Sequence, residues 1–185
     1  MSNTIISPIS NRRSRLAFSP KVMLKQEIEL LFEAARWSPS AYNEQPWRFH
    51  FVSRERNEAY QRMLHTLAPG NREWAVDASL LIFTTAKQTL TLNGQINNYS
   101  MHDVGLATAN LLAQATAMGI VTHPMGGFDR KKVADLLNLS KEYNPVAVIA
   151  VGYPGDAEKL SKASKEREKA ARVRKELGEI SFEID

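Results

Sequence analysis

The chain has 185 residues, 43% of them hydrophobic, no cysteine and a formal net charge of +4. That length supports one sizeable core and a single domain over residues 1–185, and the lack of cysteine excludes disulfides, thiolate nucleophiles and cysteine-held zinc or iron–sulfur sites. No run approaches the roughly 20 apolar residues needed to cross a bilayer, so no membrane partner is expected and the expected address is cytoplasmic.

The basic excess lies at the two ends. The first 25 residues carry Arg12, Arg13, Arg15, Lys21 and Lys25 with no acid, and residues 156–176 hold eight Lys/Arg against five Asp/Glu. The first stretch lacks the continuous apolar core of a signal peptide, so export is not expected. Both ends suit plain solvation, and both equally suit a phosphorylated ligand or a nucleic acid.

In chain order, "LKQEIELLFEAARW" (24–37) places Leu24, Ile28, Leu31, Phe32 and Ala35 at helical spacing and reads as an amphipathic helix. It delivers "SPSAYNEQPW" (38–47), where Pro39 and Pro46 bias Ser38 and Gln45 away from helix. This stretch is either a helix-terminating turn or a stiff path that presents hydrogen-bonding groups. "WRFHFVS" (47–53) alternates as a strand does, and "RNEAYQRMLHTLA" (56–68) reads as a second helix. "ASLLIFTTA" (78–86) and "VAVIAVGYP" (146–154) are continuous and β-branched, as in buried strands.

Between them, "YSMHDVGLATANLLAQATAM" (99–118) is a helix with small or apolar residues on nearly every face, which a second subunit would cover. Asp129 is the expected N-cap of a following short helix, with Phe128 stapled to Val133. A basic tail from about residue 157 is either helical or draped over a partner. Strands alternating with helices without βαβ regularity predict an α+β fold, a three-layer sandwich around a central sheet.

Familiar catalytic signatures are missing. His50, His65, His102 and His123 have no metal-ligand spacing, and Asp77, Asp103 and Asp129 have local capping or surface explanations. There is no GxSxG elbow, no P-loop and no GxGxxG after a strand. An inventory of loops, amides and arginines without a nucleophile suits a protein whose cofactor supplies the chemistry. No catalytic side chain and no metal are expected.

Three separated stretches resemble the FMN-dependent nitroreductase family: "RRSRLAF" (12–18), "SPSAYNEQPWRF" (38–49) and "MGGFD" (125–129) followed by "VIAVGYP". The likeness spans about Asn11 to Leu177. It implies a sandwich with a central mixed sheet flanked by helices, and an intertwined homodimer with FMN at the subunit interface. It further implies that Arg12, Arg13 and Ser14 contact the flavin phosphate and ribityl chain, since guanidinium forks suit phosphate. Pro39, Ser40, Ala41 and Asn43 of the partner subunit would wall the isoalloxazine ring, Asn71 would approach it, and the backbone of Gly126 and Gly127 would reach its reactive nitrogen, which glycine permits because it has no Cβ. Arg172 and Arg174 match a late basic pair near the phosphate. Leu16 stands where the family often has a basic residue, and Trp74 where some relatives have lysine.

The activity implied is a ping-pong NAD(P)H oxidoreductase, in which NADH or NADPH reduces the flavin at N5 before a small-molecule acceptor such as a nitroaromatic or quinone is reduced. Trp47, Trp74 and Phe128 are candidates for the open flavin face. The rival readings are an FMN-binding or flavin-delivery protein without turnover, and a basic nucleic-acid binder. The second has little aromatic interleaving to support it, and no nucleic-acid partner is expected.

Overall fold

The computed structural model describes residues 5–184. At its centre four strands lie in the order β1 (Trp47–Ser53), β2 (Leu80–Lys87), β4 (Tyr143–Gly152) and β3 (Val121–Met125). Each neighbouring pair is antiparallel. Among the described residues, parallel pairing is confined to an isolated bridge between Ser14 and Thr122 beside β3, outside the four strands.

The inner strands lack a polar face because helices cover both sides. Leu80, Ile82, Ile149 and Val151 point to one core, and Leu81, Phe83, Val148 and Ala150 to the other. On the first side lie α2 (Lys25–Arg36) and α5 (Ser100–Ala117). On the second lie α3 (Asn57–Leu64), α4 (Pro69–Ala75) and α6 (Arg130–Leu136). Among the described residues the helix set is completed by α1 (Ser7–Asn11) and α7 (Lys162–Lys169). None of these helices is long and apolar enough to cross a membrane.

The predicted helix over 56–68 stops at Leu64, where Thr66 turns its hydroxyl back onto the Met63 carbonyl at 2.7 Å. Pro69 then opens α4 at its first turn, where the missing N–H costs nothing. Asp129 caps α6 as expected, accepting the Lys132 N–H at 3.0 Å.

Two features leave apolar surface uncovered. The apolar residues that helix α5 buries fully are the stripe Val104, Ala107, Leu111 and Ala115, while Leu106 and Leu112 are half-buried and Ala109 is exposed. After α7 the tail runs without regular structure apart from a short 3₁₀ turn at Leu177–Glu179, and Val173, Leu177, Ile180, Phe182 and Ile184 project into solvent. The tail is thus helical over α7 and extended beyond it.

Candidate functional site

Residues 12–19 cross one end of the sheet in extended form. Ser14 bridges Thr122, Phe18 bridges Pro154, and the Gly155 N–H donates to the Ala17 carbonyl at 3.0 Å. The carboxylate of Glu168, only 5% exposed, accepts the Leu16 N–H at 2.7 Å and pairs with Arg15 at 2.9 Å. Arg13 donates to the backbone carbonyls of Glu168 and Ala170 at 2.5 and 3.1 Å. Together these contacts clamp α7 against the N-terminal segment.

The clamp has an electrostatic consequence. It directs the chain after α7 so that Arg172 donates to the Arg12 carbonyl at 2.8 Å, across 160 positions. Burial, then the nearby guanidiniums of Arg174 and Arg172, lower the Arg12 pKa from its ordinary value. Among the described residues no carboxylate pairs with Arg12, Arg172 or Arg174. An open cleft of about 190 Å³ adjoins Arg12, lined by Asn11–Arg13, Arg15 and the turn leading into β3, with Arg172 and Arg174 outside its lining. Like charges gathered at a cleft repel unless an anion joins them, and three guanidiniums suit a phosphate dianion.

At the far end of β3, the Gly127 carbonyl accepts the Ala68 N–H at 2.9 Å and the Asn71 side-chain amide at 3.1 Å. A Cβ on Gly127 would meet that amide nitrogen at 2.9 Å, whereas one on Gly126 would meet nothing within 4 Å. Asn71 therefore spends a side-chain donor on the glycine loop. His123, midway along β3, bonds the Arg15 carbonyl through Nδ1 at 2.9 Å and packs on the Trp74 ring at 4.5 Å between centroids. Burial lowers its pKa, so the ring is neutral at pH 7 and Nδ1 carries the proton.

The 38–47 stretch is no ordinary turn. Ala41–Asn43 form a 3₁₀ turn, and Tyr42, Asn43 and Gln45 take φ values of 53°, 54° and 47°, which glycine tolerates and these residues resist. Ser40 is its hub: its carbonyl accepts the Asn43 N–H and its hydroxyl the Gln45 N–H, each at 3.0 Å. The Ala41 N–H donates to Oδ2 of Asp103 at 3.0 Å, and the Glu44 carboxylate accepts the Thr91 N–H at 3.0 and 3.1 Å. Pro39, Tyr42 and Asn43 are left facing solvent.

Arg12, Arg13, Ser14, Arg172 and Arg174 thus meet at the start of β3, and Asn71, Gly126 and Gly127 at its end. Gly126 lies four positions beyond Thr122, about 13 Å of strand. Pro39, Ser40, Ala41 and Asn43 do not join them. Their turn sits at Asp103 near the start of α5 and the arginine cleft borders Thr116 near its end, about 20 Å along the helix axis.

Of the aromatic candidates, Trp74 and Trp47 are core residues at 2% and 7% exposure, and Phe128 is half-buried beneath Arg130. Leu16 is likewise buried. The surface explanation offered for Asp103 fails, because its carboxylate is buried and tethers the turn. Glu168 carried no sequence signal, lying among alternating charges that read as a solvated face.

The Nitroreductase family model matches residues 9–153. Protein DrgA of Synechocystis sp. is 30% identical over 174 residues, covering 78% of this chain and 81% of that protein. The Bacillus subtilis protein named "Putative NAD(P)H nitroreductase YdgI" is 27% identical over 191 residues, covering 83% and 90%. A solved structure described as an oxidoreductase containing FMN superposes with a TM-score of 0.90 at 28% identity, covering 99% of this chain and 93% of that one. A nitroreductase family protein from Streptococcus pneumoniae shares the fold at a TM-score of 0.78, with 21% identity and coverage of 96% and 98%. The chain belongs to the nitroreductase family.

Proposed function

We propose that the protein is an FMN-dependent NAD(P)H oxidoreductase of the nitroreductase type, a homodimer with FMN at the subunit interface and a ping-pong cycle. The single observation that carries this reading is the gathering of Arg172 and Arg174 around Arg12, which itself lines the cleft, without a carboxylate pairing with any of the three among the described residues. Its donor set fits a phosphate monoester, and the glycine loop at the other end of β3 fits a flat ring approached by backbone.

FMN, when bound, supplies a hydride exchange at N5 that takes two electrons from NADH or NADPH and delivers them to an acceptor such as a nitroaromatic or a quinone. The chain's own part is to hold and exclude. Arg12, Arg172 and Arg174 would neutralise the phosphate, with Ser14 beside the ribityl chain and Arg13 securing the tail that brings the late pair. Gly126 and Gly127 would allow close backbone approach, and Asn71, held by its bond to Gly127, would offer its oxygen to the ring edge. The Pro39–Asn43 turn would cover the ring with a surface that needs little ordering on binding.

The separation along α5 supports a second copy in the assembly. Two copies packed through the open side of α5 would bring one chain's turn to the other's arginines, and the exposed apolar tail residues would find cover in the same contact. We read all 185 residues, including the basic tail from about 157, as one FMN-binding domain in a cytoplasmic enzyme; a chain without cysteine needs no oxidising compartment.

The reading is tested by loading purified protein with FMN and adding NADH or NADPH anaerobically, then an acceptor. Bleaching of the flavin absorbance and its return with the acceptor are expected. Bound flavin that neither donor bleaches would instead mark a flavin carrier.

A further inference from the structure

Asp103 is 2% exposed on the first turn of α5, where the sequence suggests a capping or surface residue. Its Oδ2 accepts the Ala41 N–H at 3.0 Å and its Oδ1 faces Nδ1 of exposed His102 at 3.1 Å. A carboxylate withdrawn from water is tolerated only where such bonds replace its hydration.

Ala41 opens the 3₁₀ turn whose Tyr42 and Asn43, with Gln45 just beyond it, put three non-glycine residues at positive φ within four positions. Strain of this kind persists only where surrounding contacts over-determine it. The bonds from Asn43 and Gln45 to Ser40, and from Glu44 to the Ala41 carbonyl, fix the shape of the turn but not its place in the protein. Among the described residues, 40–45 is hydrogen-bonded to other elements at three points: Glu44 to Thr91, Ala41 to Asp103, and the Gln45 carbonyl to the exposed Arg48 side chain only three positions on in β1. Thr91 belongs to the exposed connection between β2 and α5, whereas Asp103 stands on a helix with a buried stripe.

We propose that Asp103 is a positioning residue for the flavin ring: its buried carboxylate pins the strained Pro39–Asn43 turn to α5, so that the outward face of the turn is held ready for a tricyclic ring. The inference rests on the reading of that turn as a flavin wall. The bond is made to a backbone N–H, so no side chain at position 41 can replace it, and the charge on Asp103 strengthens it beyond a neutral pair.

The experiment is a fluorescence titration of the cofactor-free full-length protein with FMN and with riboflavin, which lacks the phosphate. Asp103→Ala is expected to weaken both flavins by a common factor of about 10- to 100-fold, as for loss of a charge-assisted hydrogen bond. Asp103→Asn keeps an acceptor oxygen without the charge and is expected to weaken both by about three- to tenfold. Arg12→Ala serves as the contrast, weakening FMN and leaving riboflavin unchanged. A folded Asp103→Ala that binds both flavins as the wild type does would overturn the proposal. Should that variant fail to fold, Asp103→Asn decides: a common loss supports the tether, and unchanged affinity for both overturns it. Wild-type protein that binds neither flavin would instead overturn the cofactor reading, and the tether with it.

Discussion

Arg172 donates to the carbonyl of Arg12 at 2.8 Å, although 160 positions separate them. The contact depends on Glu168 and Arg13 holding α7 to the N-terminal segment, so the grouping of the arginines and the fold of the tail are coupled.

Glu168→Ala removes the acceptor of the Leu16 N–H and the partner of Arg15. Allowing for the part-exposed Arg15, the loss is about 2–3 kcal/mol, which for a chain of this size lowers Tm by about 4–12 °C. Calorimetry of the cofactor-free protein checks it. FMN affinity falls too, because Arg172 and Arg174 lose their anchorage.

Arg12 and Arg13 are adjacent but separable. Arg12→Ala relieves a crowd of like charges, so the cofactor-free protein keeps its melting temperature while FMN affinity drops about 10- to 100-fold. Arg13→Ala removes bonds to two tail carbonyls and lowers stability as well as affinity. Thermal melts alongside FMN titrations distinguish the two patterns.

Three glycines give three outcomes. A Cβ on Gly155 would run into the Phe18 backbone, so Gly155→Ala destabilises by about 1–3 kcal/mol or more. Gly127→Ala presses on the Asn71 amide. Gly126→Ala meets nothing and leaves Tm unchanged, yet weakens FMN by about tenfold if backbone must approach the ring there. Unchanged FMN affinity in Gly126→Ala would remove that glycine from the site.

His123 sets a pH dependence. Burial lowers its pKa in the folded chain, so the unfolded chain takes up the proton first. Its contribution to stability is full above about pH 6.5, the unfolded value, and is lost as pH falls through the lower folded value. Urea unfolding of the wild type and His123→Asn at pH 8, 6 and 5 is expected to show a gap between them that narrows as pH falls.

How much of this was legible in the sequence varies with the physics. The helix read over 24–37 and the strand over 47–53 match α2 and β1, because one buried face imposes a clear period. The buried strands match β2 and β4 within a few residues for the complementary reason, helices covering both faces. Strand β3 was missed: it is five residues long, contains Pro124 and lies at the sheet edge, where proline is tolerated. The spacing of 99–118 gave the helix but not which stripe a single chain buries. Asp103 and Glu168 stayed hidden because a buried carboxylate looks like any exposed one until its backbone partner, 62 or 152 positions away, is located.

The central claim is that one flavin site draws on two copies of the chain, and subunit complementation tests it most directly. One variant carries Arg12→Ala with Ser14→Ala, the other Ser40→Ala with Asn43→Ala, and each alone is expected to purify without FMN. Coexpressed, they form mixed dimers in which one site carries both lesions and the other carries none, so tightly bound FMN returns. Mixed dimers that stay colourless while wild-type dimers are yellow would contradict the shared site.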